Sequence, residues 1–180
     1  MRQDDLVQAR RDAIEQAYRE DSARLWRSLL GYTGSADVAS DALAEAYAQA
    51  LSRNGDLRSP ASWVWTAAFR IASGMLKRTP PSSVPVARDE ELAEPVIDLV
   101  RSLSLLPEQQ RMAIVMHDYA DRPVKEVAAV LGIATATVYV HLSRGRARLR
   151  ELSKDGDDQD AWVTTGRTPT IHAIRWARFP

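Results

Sequence analysis

Four arginines at alternate positions, Arg144, Arg146, Arg148 and Arg150, close a stretch that begins at Arg122 and reads RPVKEVAAVLGIATATVYVHLSRGRARLREL. Guanidinium groups at that density suit phosphate, where a planar fork of donors meets anionic oxygens. The residues before them explain how a nucleic acid would arrive there. A short helix around Val124 to Leu131 turns Val127, Ala128 and Leu131 inward, Gly132 supplies a tight turn, and Ile133 fills the gap between helices. Thr135 or Thr137 then opens a second helix with Val138, Leu142 and Leu149 on its packing side. A short helix, a glycine turn and a longer helix form a helix-turn-helix pattern, whose second helix presents its N-terminal residues to a major groove. Tyr139 and His141 fall at or near the exposed surface. The alternative reading of these residues is a plain helical hairpin with a solvated arginine end.

Other chemistry finds little support. The three histidines, His117, His141 and His172, stand on separate elements without metal-ligand spacing. With no cysteine, disulfide scaffolds, thiolate metal sites and cysteine nucleophiles are excluded. Neither a nucleophile-elbow string nor a phosphate loop occurs. The chain therefore reads as a binding protein rather than an enzyme, with no cofactor and no metal. Formal net charge is zero, from 24 basic and 24 acidic residues, which argues against a general nucleic-acid binder. Charge is local, however: the four arginines named above are half of the eight basic residues between 96 and 153.

The elements that must position these groups are helical throughout. At 180 residues, with 45% hydrophobic and 27% charged, the chain has room for one compact domain or two small ones. Ile14, Tyr18, Leu25 and Leu29 recur at steps of four and seven, giving a first helix that Gly31 and Gly34 should end. Ser35 or Asp37 can cap a second, whose apolar face runs from Val38 through Leu51. Ser59 and Pro60 cap and open a third. That helix is apolar around most of its circumference, with Val64, Trp65, Ala68, Phe69, Ile71 and Ala72. Its polar stripe, Thr66, Arg70, Ser73 and Lys77, would face a solvent groove or a polyanion. Residues 79–95 hold four prolines, two serines and four acids and read as a linker. Helical pattern resumes over 96–153, with Pro107 opening one of its helices, and 154–180 is an extension of unassigned role. The expected fold is all-α: two small helical domains, 1–78 and 96–153, joined by a proline-rich linker. No apolar run nears the roughly 20 residues that span a bilayer. The N-terminus lacks a secretory core, so the expectation is a soluble, cytoplasmic protein without membrane insertion.

Three stretches in order resemble the bacterial RNA polymerase sigma factors of the extracytoplasmic-function class, which keep only regions two and four. AYREDSARLWRSLLGYTGSADVASDALAEAYAQAL resembles the start of region two, and SPASWVWTAAFRIASGMLKR its tryptophan-led promoter helix. LVRSLSLLPEQQRMAIVMHDYADRPVKEVAAVLGIATATVYVHLSRGRARLREL resembles region four, with an LPxxQR entry and a C-terminal helix-turn-helix. Together they cover residues 13–152. The resemblance implies a protein that binds core RNA polymerase, directs it to promoter DNA and helps to open the duplex. Polymerase partners would be the clamp helices of the largest subunit, met by Asp41, Glu45 and Tyr47, and the flap of the second-largest. The loop with Arg53, Asn54, Asp56 and Arg58 would form a pocket for an unstacked −10 base beneath Trp63, while Arg70, Ser73, Lys77 and Arg78 follow the backbone. Core packing is the competing role for Trp63 and Trp65. At the −35 element the resemblance assigns Arg122, Thr135, Ala136, Thr137, Tyr139, His141, Arg144, Arg146 and Arg148. Family members are often held by an anti-sigma protein, so such a regulator is a further expected partner.

The chain departs from the family pattern at Ala44 and Leu51 in the polymerase-binding helix, at Arg70 and Gly74 in the −10 helix, and at Ala134, Ala136, Tyr139 and His141 near the recognition helix. Tyrosine and histidine offer fewer phosphate contacts than the usual lysine and arginine, which predicts weaker or differently specified −35 binding. Two other readings stand beside this one: a stand-alone helix-turn-helix regulator, and a sigma-like protein that binds polymerase without opening promoters. An apolar, arginine-bearing tail with Trp162, Ile171, Ile174, Trp176 and Phe179 is expected to dock on a domain or a partner.

Overall fold

The computed structural model describes residues 3–53, 57, 59–78 and 94–155, and all regular structure among them is helical. The expected linker up to residue 93, and the tail from 156 onward with its docking hypothesis, lie outside the described residues.

The N-terminal half is a three-helix bundle. Helix α1 (Gln3–Thr33) passes through Gly31 without a break. It ends at Gly34, which takes φ 71° and donates its N–H to the Leu30 carbonyl at 2.8 Å. Gly31 was expected to help stop this helix and does not; a Cβ there would meet Leu103 and Val115 at ordinary contact distance. Ser35 caps α2 (Ala36–Ser52), its side chain accepting the Val38 N–H at 3.3 Å. Along α2, Ala39, Ala42, Ala46 and Ala50 are fully buried, and methyl side chains at that spacing let neighbouring helices come close. Ser59 accepts the Ser62 N–H ahead of α3 (Pro60–Arg78) at 3.4 Å. The centre of the bundle holds Leu25, Leu29, Tyr32, Val64, Trp65 and Phe69. Burying each such side chain contributes about 1.5–3 kcal/mol before entropy is counted.

The C-terminal half starts with α4 (Glu94–Ser104), two residues inside the segment read as linker; Pro95 is tolerated in a first turn because its missing N–H has no partner to lose. Pro107 precedes α5 (Glu108–Ile114). This helix widens into a π-helical turn over Val115–Tyr119, closed by the Ala120 N–H on the Val115 carbonyl at 3.0 Å. His117 Nδ1 donates to the Arg122 carbonyl at 2.9 Å and fixes the loop that follows. Helix α6 (Val124–Leu131) ends at Gly132, left-handed at φ 69°, and α7 (Thr135–Asp155) follows. A Cβ on Gly145 would lie 3.0 Å from Ile114 Cγ1, so α5 and α7 cross where only a hydrogen fits comfortably.

The two halves are not separate beads. One continuous hydrophobic cluster runs from Ile14 through Trp65 to Leu149. Helix α1 packs on α4 and on the π-helical turn, and α3 packs on α6. Among the described residues no single helix is long and apolar enough to cross a membrane.

Candidate nucleic-acid interface

Helices α6 and α7 are set at 96° to one another, within the range of DNA-reading helical pairs. Val127, Ala128, Val138, Leu142 and Leu149 are buried as the apolar pattern requires, and Ile133 packs against the core between the two helices. The opposite side of α7 is open: Thr135, Ala136, Thr137, Tyr139, Val140, Ser143, Arg144 and Arg148 are exposed. Val140 and Ser143 were missed from sequence, although they lie one helical turn from Ala136 and Tyr139 on the same face. Their types, an aliphatic and a small hydroxyl, carry no charge signal that would single them out.

Of three other side chains expected on this surface, two have other engagements and the third is half-buried. Arg146 meets Asp118 of the π-helical turn in a bidentate pair, Nε to Oδ2 at 2.8 Å and Nη2 to Oδ1 at 2.5 Å. That hydrogen bonding raises the guanidinium pKa above its ordinary value. The pair straps α7 to the turn, so here Arg146 positions the helix and does not reach outward. Arg122 bonds Glu126 through Nε at 2.8 Å and Nη2 at 2.6 Å, and its guanidinium lies 5.1 Å from the Trp65 ring centroid. His141 is half-buried, and its Nδ1 makes no hydrogen bond to the described residues.

Two members of the α3 polar stripe, Arg70 and Ser73, bond the C-terminal half, where the pattern alone suggested solvent or a polyanion. Arg70 Nη2 donates to the Ala129 carbonyl at 2.6 Å. Ser73 Oγ donates to Glu108 Oε1 at 3.1 Å, and Ser62 Oγ donates to Glu126 Oε1 at 2.7 Å. Glu108 Oε1 also accepts the Tyr32 hydroxyl at 2.8 Å. Burial pushes that phenol well above its usual range. The Arg111 guanidinium lies 5.6 Å from the Tyr32 ring centroid, and burial lowers its pKa. Lys77 and Arg78 remain exposed. Trp65 is fully buried between Arg24 and Arg122, a core residue, whereas Trp63 is half-buried with the Arg53 guanidinium 5.2 Å from its ring. Asn54, Asp56 and Arg58 of the expected base pocket lie outside the described residues.

On α2, Asp41 and Glu45 are exposed one turn apart, and Glu45 accepts from Gln49 at 2.7 Å. Tyr47 does not share their face. It is 7% exposed, donates its hydroxyl to the Ala17 carbonyl at 3.1 Å and sets its ring edge-on to Tyr18. In this structure Tyr47 has a packing role, its one donor already used inside the bundle.

Comparison with known proteins places these surfaces in a lineage. Residues 97–149 match the family model described as Sigma-70, region 4. The ECF RNA polymerase sigma factor SigM of Mycobacterium tuberculosis is 31% identical over 79% of this chain and 78% of its own. The RNA polymerase sigma-E factor of Streptomyces antibioticus is 34% identical over a shorter stretch, 42% of this chain and 44% of its own. Among solved structures, the sigma factor RpoE in complex with the anti-sigma factor NepR from Bartonella quintana shares the fold. The TM-score is 0.59 at 24% identity, covering 78% of this chain and 96% of that one. CnrH in complex with the cytosolic domain of CnrY gives a TM-score of 0.60 at 21% identity, over 84% and 94%.

Proposed function

The chain belongs to the extracytoplasmic-function RNA polymerase sigma factors, and on that premise we propose how its surfaces divide the work of transcription initiation. Helix α7 reads the −35 element through Thr135, Ala136, Thr137, Tyr139, Val140 and Ser143, with Arg144 and Arg148 on phosphates. Helix α3 and the loop before it take the −10 element: Trp63 and loop residues 53–58 hold an unstacked base, and Arg70, Ser73, Lys77 and Arg78 track the strand. Asp41 and Glu45 dock on core polymerase at the clamp helices, and region four meets the flap. The protein acts where bacterial polymerase works, in the cytoplasm. RpoE is seen with the anti-sigma factor NepR, and an anti-sigma partner is proposed here on that likeness.

The observation that carries the reading is the open face of α7, held at 96° to α6 and strapped to the π-helical turn by Asp118 and Arg146. A side chain can read bases only if its element is fixed and its face is free, and both conditions hold there. Reconstituting the protein with core polymerase on the host's genomic DNA, then mapping transcript 5′ ends, tests this. The expected result is initiation at a set of sites sharing a paired upstream motif. Transcripts no different from those of core polymerase alone would contradict it.

A further inference from the structure

Helix α7 leaves two large hydrophobic side chains in solvent, Tyr139 at 60% and Val140 at 45% exposure. An isolated apolar residue is ordinary on a surface. Val140 is singled out by where it stands. Val138, Leu142 and Leu149 are buried, and at roughly 100° per residue they share one side of α7 while Val140 projects from the opposite side. Ala136, Ser143 and Ala147 fall along the same outward line, one or two turns away, and all three are exposed. Arg144 and Arg148 are exposed on one flank of that line, and Tyr139 and Arg150 on the other. Cations thus border an uncharged centre. That centre is also fixed in direction: Gly145 lets α7 press on Ile114, and Arg146 is held by Asp118 in the bidentate pair. A valine in a helix keeps essentially one rotamer, so its two methyl groups are set in advance.

A major groove offers such a helix charged backbones at both sides and base edges in the middle. Those edges carry donors and acceptors with one exception, the C5-methyl group of thymine. Pressed against a polar edge, valine would strip it of water and return no hydrogen bond, an unfavourable exchange. Pressed against the thymine methyl, it buries apolar surface on both partners. Tyr139 is less selective, since its hydroxyl can bond a base edge or a phosphate. We propose that Val140 is a specificity-determining residue of this chain, seated on the 5-methyl group of a thymine in the −35 element. This role deepens, and rests on, the reading of α7 as the −35 helix.

The test uses the full chain assembled with core polymerase, on duplexes carrying the upstream motif found by mapping transcript starts. Thymines of that motif are replaced one at a time by deoxyuridine, which lacks only the methyl group. In the parent, one or two replacements should weaken binding about threefold to tenfold, the worth of one or two buried methyl groups. Val140→Ala should bind the thymine duplex more weakly by a similar factor and be indifferent to deoxyuridine at those positions. The variant keeps its fold, because 140 is an exposed helical site where alanine is the stronger helix former, and an unchanged melting temperature checks this. Its salt dependence should match the parent's, since no phosphate contact is lost. Deoxyuridine tolerated at every position, with the motif still required, would overturn methyl reading. Equal deoxyuridine penalties in parent and variant would overturn the role of Val140. Binding indifferent to the whole upstream motif would instead refute α7 as the −35 helix, and the role of Val140 with it.

Discussion

Tyr47 and Tyr139 show how burial sorts similar side chains into different work. Tyr139 is 60% exposed on α7, and Tyr47 is sealed within the bundle. Replacing Tyr139 by Ala should leave thermal stability within about 0.5 kcal/mol. It should change affinity for a −35 duplex by about 1–3 kcal/mol, with altered preference at one or two base positions, read by competition binding. Tyr47→Phe should behave in reverse. Losing the bond to the Ala17 carbonyl costs about 1 kcal/mol of stability with no change in polymerase affinity. Burial pushes the Tyr47 phenol from 10.0 up to about 12. The neutral form is favoured by the fold, so the associated stability is complete below pH 10 and is lost as pH rises through about 12. Alkaline melts should show that loss in the parent and a shallower one in Tyr47→Phe.

At the scale of elements, the recognition helix is held by shape as much as by charge. Gly145 sits in the crossing of α5 and α7, 3.0 Å from Ile114 Cγ1 and 3.4 Å from Gln110 Cβ when given a Cβ. Gly145→Leu should cost about 1–3 kcal/mol through overpacking, seen as a lower melting temperature, with weaker −35 binding. The π-helical turn adds a polar hold, since it carries Asp118 to Arg146 and His117 to the Arg122 carbonyl. Much of this level was legible in the chain. Helix starts at Ser35, Pro60, Pro107 and Thr135 followed from capping chemistry, and the helix-turn-helix followed from Gly132 between two apolar periods. The π-helical turn was not legible, because Val115–Tyr119 has the same apolar spacing whether the helix is regular or widened. Gly31 misled for a related reason: a glycine inside a helix and a glycine ending one look alike until a neighbouring element is placed against it.

For the whole molecule, the surprise lies between the halves. Composition divided residues 1–78 from 96–153 as two helical groups, yet carried no sign that they share one hydrophobic cluster. The reason is physical. The bonds that join them link residues 35 to 76 positions apart, such as Ser73 with Glu108 and Tyr32 with Glu108, and use side chains common on any surface. A stripe of Arg70 and Ser73 is equally suited to a nucleic acid and to a neighbouring domain, so its occupant is decided by tertiary structure alone. Asp41 and Glu45 are exposed on α2, where the proposed polymerase contact lies. The central claim is therefore tested most directly by titrating the full chain against bacterial core RNA polymerase, alongside an Asp41→Arg/Glu45→Arg double variant. Saturable binding by the parent, weakened at least tenfold in the double variant, is the predicted result. Equal binding by both, or none by the parent, would contradict it.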